Sequence, residues 1–411
     1  MRRVPVRALV LLCLLGSGAL VAAQEAPEQR LGPPPVQYNF APPGARSLAM
    51  GASFIGLADD ATASESNPAG LTILTKPELS AHFRYAEYEN QAPNTVTGEG
   101  FGSFTTRLGS PSFFSVVYPW QRAAASVYYQ RSADYRARSS FDDLLPDFNY
   151  NLDRVELLFR TENIGISGAF KVGDKISLGA SIRGTRVRLD STQEVNIGGD
   201  PADIGLLSLF RNVGSLNESN FKTTFNAGIL ISPTSKFSIG GVYKRGEDFE
   251  FSQTLSVALQ TPVGDVSDSE RQSVRITVPD AYGGGIAIRP NDRITLLADV
   301  LRISYADADL GPNSLNLYQR FGEGGREALK DGTEFHTGLE YTFASGNDWI
   351  FSLRGGYYFD PDHDGLAGID SDQNHATFGG GVVVKNKLQV DVAANIASAI
   401  KEGLISFVVR F

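Results

Sequence analysis

Cysteine is nearly absent from this chain. The single cysteine, Cys13, lies inside an apolar N-terminal segment. If that segment is removed, the remaining chain has neither disulfides nor a thiol nucleophile. Histidine is scarce as well, and none of His82, His336, His363 and His375 lies in a serine- or aspartate-paired motif. The sequence therefore argues against an enzyme. Without a phosphate-binding loop before a helix, it predicts no cofactor.

The chain also lacks the long apolar run that a transmembrane helix requires. Residues 1–23 instead read as a secretory signal peptide, in which Arg2, Arg3 and Arg7 precede the apolar run 8–21 and small residues follow. Removal of this segment takes away three arginines and no acid, which changes the net charge from −9 to −12. Such an acidic chain is not expected to bind nucleic acid.

Alternation of polar and apolar residues dominates the rest of the sequence. In the last run, Ile405, Phe407 and Val409 share one face, whereas Ser406 and Arg410 lie on the other. A period of two with one apolar face predicts a half-buried strand. Fourteen such runs are predicted, at 77–89, 101–118, 122–137, 153–172, 175–190, 219–232, 236–259, 270–289, 292–307, 333–344, 348–360, 373–385, 387–399 and 403–411.

The connections between these runs alternate between short and long. The short ones include Gly173-Asp174 and Pro290-Asn291, and the longest covers 191–218. An even number of antiparallel strands with short turns at one end and long loops at the other is typical of an outer-membrane barrel. We predict an all-β fold: a 14-stranded antiparallel transmembrane β-barrel over 76–411, monomeric, with both termini on the periplasmic side. The alternative, a soluble β-sandwich, does not sort its loops by length.

Two segments precede the first strand. Residues 24–43 are rich in proline and are predicted to be extended. Residues 44–75 are small and weakly helical, and they end in Asn67-Pro68-Ala69-Gly70. Pro68 fixes φ and disfavours a continuing helix, and Gly70 permits a sharp turn. One interpretation is that the segment simply turns into the first strand. The other is that it fills the lumen, because fourteen strands enclose more space than side chains alone can fill.

These N-terminal motifs resemble those of the FadL family of outer-membrane transporters of long-chain fatty acids and other hydrophobic compounds. The resemblance is carried by Gly44–Ala52, Ala58–Ala61 and Asn67–Gly70, with a similar stretch at Leu353–Tyr358. It implies that residues 44–75 form a hatch in the lumen, with Asn67, Pro68, Ala69 and Gly70 as its motif. It also implies capture of a hydrophobic small molecule at an extracellular groove and its lateral exit through the barrel wall.

The resemblance has two further implications for partners. The closing Phe411 fits the signal read by the outer-membrane assembly machinery, and the barrel surface would contact outer-membrane lipid and lipopolysaccharide. A PorV-type barrel also carries a similar Asn-Pro-Ala-Gly. The alternative function is therefore that of a protein-binding component of a secretion system.

Loop 191–218 is the candidate entry groove. It is rich in apolar residues, of which Ile204, Leu207, Phe210 and Val213 fall near a helical spacing. An exposed apolar helix in an extracellular loop would bind hydrophobic substrate. The alternative is that it packs against neighbouring loops.

Two groups of charged residues complete the sequence analysis. Six ionisable residues are predicted to face the lumen, mostly in ion pairs: Arg183, Asp299, Glu340, Arg354, Asp391 and Arg410. The weak metal candidates are Asp360, Asp362 and Asp364, which imitate the start of a calcium loop. Ser371 occupies the twelfth position in place of glutamate, so no metal is predicted.

Overall fold

The structure, a computed structural model, describes residues 40–93, 101–141, 150–198, 209–261, 264–308, 321–322, 325–326, 330–345, 348–361 and 372–411. The predicted signal peptide and most of the Pro-rich segment lie outside these ranges. The strands are β1 (Glu78–Pro93), β2 (Phe101–Pro119), β3 (Ala123–Phe141), β4 (Tyr150–Val172), β5 (Ile176–Gly198), β6 (Leu209–Thr234), β7 (Phe237–Lys244), β8 (Glu247–Thr261), β9 (Gly264–Val278), β10 (Ala281–Asn291), β11 (Ile294–Ile303), β12 (Phe321–Gly322), β13 (Gly325–Arg326), β14 (Gly332–Ser345), β15 (Trp349–Asp360), β16 (Gln373–Val384), β17 (Leu388–Ile396) and β18 (Ile400–Arg410).

The main sheet closes on itself. Each strand pairs antiparallel with its neighbours, β1 pairs with β18, and β5 pairs with β6. The strands β7 and β8 are two parts of one wall strand, and β9 and β10 are two parts of another, while β12 and β13 form a separate hairpin. In the described part of the chain the wall thus has fourteen strands, which confirms the predicted barrel.

The outer face of the barrel carries an apolar belt. On β4, Ile164, Ile166, Phe170 and Val172 all lie outward and exposed. Exposure of this apolar belt to water would be unfavourable, but contact with the hydrocarbon of a bilayer is not. Aromatic side chains pack together at the short-turn end, where the ring centroids of Tyr118 and Trp120 lie 5.0 Å apart. The alternation in the sequence therefore arises because apolar residues face lipid and the residues between them face the lumen.

Several strands continue well beyond the apolar belt, and this corrects the predicted loop boundaries. Strand β5 reaches Gly198 and β6 begins at Leu209, so much of the predicted loop 191–218 is sheet. Phe210 pairs with Ile197, and Val213 pairs with Glu194. The helical spacing predicted for this loop is wrong at these two residues, because a ladder with β5 fixes them in extended backbone.

Residues 44–75, hereafter the hatch, lie inside the barrel. They contain helix α1 (Ala45–Ala49), helix α2 (Ala63–Ser66) and a 3₁₀ helix (Pro68–Ile73). Helix α1 packs against β15 to β18, and the 3₁₀ helix packs against β4 to β6. A short 3₁₀ turn also follows β11 at Tyr305–Ala308. Among the described residues, no helix combines the length and the apolar character needed to cross a bilayer.

Candidate functional site

The hatch motif fastens the hatch to the wall. The Asn67 side chain donates to the carbonyl oxygen of Ile55 at 2.9 Å and to that of Ile229 on β6 at 3.2 Å. Its Oδ1 accepts a hydrogen bond from the Ala69 amide at 3.3 Å. Pro68 occupies the first position of the 3₁₀ helix, where its missing N–H is tolerated. The motif therefore starts a helical turn and anchors it to the barrel in one step.

Glycines of the wall allow the hatch to approach the strands closely. A Cβ on Gly228 would lie 2.1 Å from Asn67 Oδ1, and one on Gly356 would lie 2.1 Å from the Gly51 amide nitrogen. A side chain at either position would force the hatch or the strand to shift. A Cβ on any of five wall glycines would lie 2.0–2.3 Å from a hatch atom: Gly179, Gly228, Gly240, Gly338 and Gly356. Glycine in these strands serves as a seat for the hatch, a role that its abundance in the sequence did not reveal.

One network of charges joins the hatch to the strands β14, β15 and β17. Arg46 of α1 meets Glu340 through two hydrogen bonds of 3.0 Å and also pairs with Asp59 in the hatch. Glu340 in turn accepts from Arg354 at 2.7 Å, and Arg354 pairs with Asp391 at 2.7 Å. The predicted inward phase and pairing of Glu340, Arg354 and Asp391 are confirmed.

A second network lies on the opposite side of the lumen. Lys244 at the end of β7 donates to both carboxylate oxygens of Glu65 in α2, each at 3.0 Å. Arg183 lies 3.8 Å from the same carboxylate and 3.3 Å from that of Glu247. Arg183 was predicted to be paired in the lumen, and this is confirmed. Glu65 and Lys244 were missed, because neither belongs to a recognisable motif.

The remaining predicted lumen residues also have partners. Asp299 on β11 accepts hydrogen bonds from the backbone amides of Phe54 and Ile55, the latter at 2.8 Å. Arg410 donates to Glu78 on β1 at 2.6 Å. His336 lies with Nδ1 2.8 Å from the Gly51 carbonyl oxygen. Asp299 on β11 and His336 on β14 thus hold the hatch backbone, whereas the Arg410–Glu78 pair joins two wall strands.

An apolar cluster fills the lumen on the long-loop side of the hatch. Its buried residues include Phe159 of β4, Leu189 of β5, Phe249 and Phe251 of β8, and Tyr305. Phe40, just before the hatch, packs against it. The lumen thus has two parts. Paired charges hold the hatch in one part, and the aromatic rings of the other part suit an apolar ligand.

The wall is incompletely paired between β2 and β3. Their ladder joins only Phe113–Pro119 with Ala124–Gln130, although β2 pairs with β1 along its whole length. Pro111 lies in β2 just above the last pair and has no N–H to donate. The described residues 107–112 of β2 therefore border a gap in the wall, on the long-loop side of the hatch. Ala133, across the gap on β3, belongs to the apolar cluster.

A second irregularity separates β6 from β8. Backbone pairing joins β6 to β7 below and to β8 above, but residues 216–225 are bridged to β8 by side chains. Asn220 donates to the carbonyl oxygen of Glu250 at 2.7 Å, and Glu218 accepts from the Ser252 amide at 2.8 Å. Phe249 and Phe251 lie in this part of β8, and both are buried in the apolar cluster.

The other predicted site residues are only partly covered. Ile204 and Leu207 lie outside the described residues, while Phe210 and Val213 lie on β6. Asp360 ends β15, and Asp362 and Asp364 lie outside the described residues. Within the described ranges, no group of three or more histidine, cysteine, aspartate or glutamate side chains could hold a metal ion.

A closed fourteen-stranded barrel with an apolar outer belt and a plug of its own N-terminal residues defines an outer-membrane transport channel. The sequence of residues 44–404 matches the family of outer membrane protein transport proteins, OMPP1/FadL/TodX. The chain belongs to this family, and it is a transport protein of the outer membrane and not an enzyme. Members of this family transport hydrophobic compounds through the outer membrane.

Solved structures share the fold. A FadL homologue of Pseudomonas aeruginosa aligns with a TM-score of 0.67 at 15% identity, covering 92% of this chain and 99% of its own. The toluene transporter TbuX of Ralstonia pickettii aligns with a TM-score of 0.65 at 16% identity, covering 91% and 99%. The toluene transporter TodX of P. putida aligns with a TM-score of 0.64 at 16% identity, covering 91% of this chain and 99% of its own. No curated protein sequence matches the chain.

Proposed function

We propose that the protein carries hydrophobic small molecules, such as long-chain fatty acids, from the cell exterior into the outer membrane. The ligand binds in the apolar cluster around Phe159, Phe249 and Phe251, and it leaves through the gap between β2 and β3. The observation that carries this proposal is an apolar cluster inside a barrel, next to a break in the wall and outside a fastened hatch.

The energetics favour a lateral route. Burial of one methylene group is worth about 0.8 kcal/mol, so an acyl chain of some fourteen methylenes gains on the order of 10 kcal/mol. Release into the aqueous periplasm would lose most of this gain. Release through the wall passes the acyl chain directly into the membrane and not into water. Because the hatch is tied to the wall by two charge networks, we expect it to stay in place during passage.

Capture is proposed to begin at the extracellular residues 204–213. The apolar side chains of Ile204, Leu207, Phe210 and Val213 would provide the first contact with the ligand. The test is uptake by the double variant Leu207→Asp, Phe210→Asp, which should be slower at low ligand concentration. Unchanged uptake would remove these residues from the route.

The exit is tested by covering the gap. A Cβ on Gly109, on the outer face of β2, would meet only the Tyr85 ring at 3.9 Å, so Gly109→Trp can be accommodated and would lie beside the gap. Gly168 on the fully paired β4 is also exposed, and a Cβ there meets nothing within 4 Å. Gly168→Trp is therefore the matched control for a bulky outward side chain.

Both variants are compared in cells that lack their own transporter of this family, with radiolabelled long-chain fatty acid and radiolabelled toluene. Gly109→Trp should slow uptake of the transported ligand several-fold, and Gly168→Trp should not. Toluene is included because two structural relatives are toluene transporters. Equal uptake by both variants would exclude this gap as the exit. No uptake of either compound by the wild type would exclude both ligand classes.

A further inference from the structure

A patch of arginines faces outward on β3, β4 and β5, just beyond the apolar belt. The strand register arranges it in three neighbouring rows. From the belt outward, the rows are Arg131–Glu162–Arg186, then Asp134–Arg160–Arg188, then Arg136–Leu158–Asp190. We name these nine residues the arginine patch. It lies on the outer surface and not in the lumen, and its β3 residues border the gap between β2 and β3.

The height of the arginine patch places it at the membrane surface. Along β4 the apolar belt runs from Val172 to Ile164, and Glu162 and Arg160 follow on the same face. At about 3.3 Å per residue and a strand tilt near 40°, the apolar span is roughly 20 Å high. The next rows therefore lie where the hydrocarbon ends and the headgroups of the outer leaflet begin.

The arginine patch is positive although the whole chain is acidic. Its nine residues contain five guanidinium groups and three carboxylates. Arg131 pairs with Glu162 at 2.9 Å, Arg160 with Asp134 at 3.3 Å, and Arg188 with Asp190 at 2.7 Å. These pairs leave an excess of two positive charges. Arg186, which lies outward and exposed, has its Nη2 3.4 Å from the Ser219 hydroxyl.

An apolar shelf lies directly beneath the charges. The Phe221 ring covers Gly184, where a Cβ would lie 2.4 Å from Cζ of the ring. Phe221 is 59% exposed, and Ile164 and Ile182 beside it are 62% and 66% exposed. Tyr129, at the same height on β3, donates to Glu162 at 2.7 Å. Acyl chains can lie on this shelf while a headgroup reaches the guanidinium groups above it.

We propose that the arginine patch binds the phosphate groups of an outer-leaflet glycolipid. Guanidinium groups bind phosphate bidentately, and they do so most strongly where one side of the contact is dry. Two phosphates on one saccharide headgroup match the excess charge and the spread of the arginines over neighbouring strands. The guanidinium groups of Arg186 and Arg188 donate hydrogen bonds to the phosphate oxygens, and the acyl chains lie against Phe221.

The test measures binding of bisphosphorylated lipid A to the purified full-length protein in detergent, by native mass spectrometry with titration. Wild-type protein should bind it at least about tenfold more tightly than dephosphorylated lipid A, because each added arginine–phosphate contact contributes. The variant Arg186→Gln, Arg188→Gln should lose most of this preference, and Arg186→Lys, Arg188→Lys should retain part of it.

The matched control is Arg275→Gln, Arg302→Gln. Both arginines are partly exposed, with 43% and 39% of the side chain accessible, and both lie outside the arginine patch. This variant should bind bisphosphorylated lipid A as the wild type does. Heat-dependent gel mobility verifies that each variant is a folded barrel.

Three results would overturn the proposal. The first is equal binding of bisphosphorylated and dephosphorylated lipid A by the wild type. The second is wild-type affinity in folded Arg186→Gln, Arg188→Gln. The third is equally tight binding of phosphatidylglycerol, which would assign the arginine patch to any anionic phospholipid.

Discussion

The side chain of Asn67 donates to the carbonyl oxygen of Ile229, 3.2 Å away on β6, and so joins the hatch to the wall. The contact is possible because Gly228, next to Ile229, presents no side chain. A short polar residue on the plug and a glycine on the strand thus form one fitted pair. At Gly179, Gly240, Gly338 and Gly356 the nearest hatch atoms belong to its backbone instead.

The variant Gly228→Ala tests this fit. The new Cβ would lie 2.1 Å from Asn67 Oδ1, so the hatch or the strand must shift. We expect a loss of about 1–3 kcal/mol in the free energy of unfolding, the usual range for overpacking. Single-channel conductance should rise as the hatch loosens. The control Gly168→Ala, which meets nothing within 4 Å, should leave both quantities unchanged.

Removal of Glu340 should weaken the hatch more strongly. Glu340→Ala leaves Arg46 and Arg354 without a shared carboxylate in a buried site, and loss of one partner of a buried pair costs about 3–5 kcal/mol. Urea unfolding in detergent measures the change. Glu87→Ala, which removes the partner of the exposed Arg107 at the barrel surface, serves as the comparison and should have little effect. Equal effects of the two substitutions would contradict the role of Arg46–Glu340 as an anchor.

The apolar cluster should set ligand affinity. Phe251→Ala removes a buried ring from the proposed binding pocket, and we expect binding of a fluorescent fatty acid to weaken about tenfold, in line with the apolar area lost. Phe378→Ala removes an equal ring from the lipid face, where it is 52% exposed, and should leave the affinity unchanged. Unaltered binding by folded Phe251→Ala would place the pocket elsewhere.

Hydrogen exchange should reveal the gap between β2 and β3. Amides in 107–112 that do not donate to β1 border the gap, whereas residues 158–170 of β4 are paired on both sides. We expect faster deuterium uptake in a peptide spanning 107–112 than in one spanning 160–166. Equally slow exchange would mean that the wall is sealed there. The measurement requires no substitution.

The barrel could be predicted because lipid imposes a strict alternation on each strand. Above the belt the outer face no longer meets lipid, so its residues need not be apolar and the pattern in the sequence is weaker. This is why the upper parts of β5 and β6 were assigned to a loop. Ile204 and Leu207 lie outside the described residues, so the entry groove stays a prediction.

Other features depend on contacts that no local pattern encodes. The breaks at Arg245-Gly246 and Pro279-Asp280 lie on neighbouring strands, and a Cβ on Gly246 would lie 1.9 Å from the Val278 carbonyl oxygen. The two breaks therefore form together, which is visible only when the strands are adjacent. Likewise, Gly285 lies within unbroken ladders and faces the hatch, where a Cβ would lie 3.0 Å from the Gly56 amide nitrogen. The glycine triplet in the sequence does not indicate this contact.

The position of α1 has a consequence for the order of assembly. This helix lies near the beginning of the chain, yet it contacts β15, β16, β17 and β18, which are made last. The amide of Ala45, for example, donates to Ser406 on the final strand at 2.9 Å. Its docking surface therefore does not exist until synthesis is complete. The contacts of α1 with these strands, like the pairing of β1 with β18, span nearly the whole chain, and such long-range contacts slow folding.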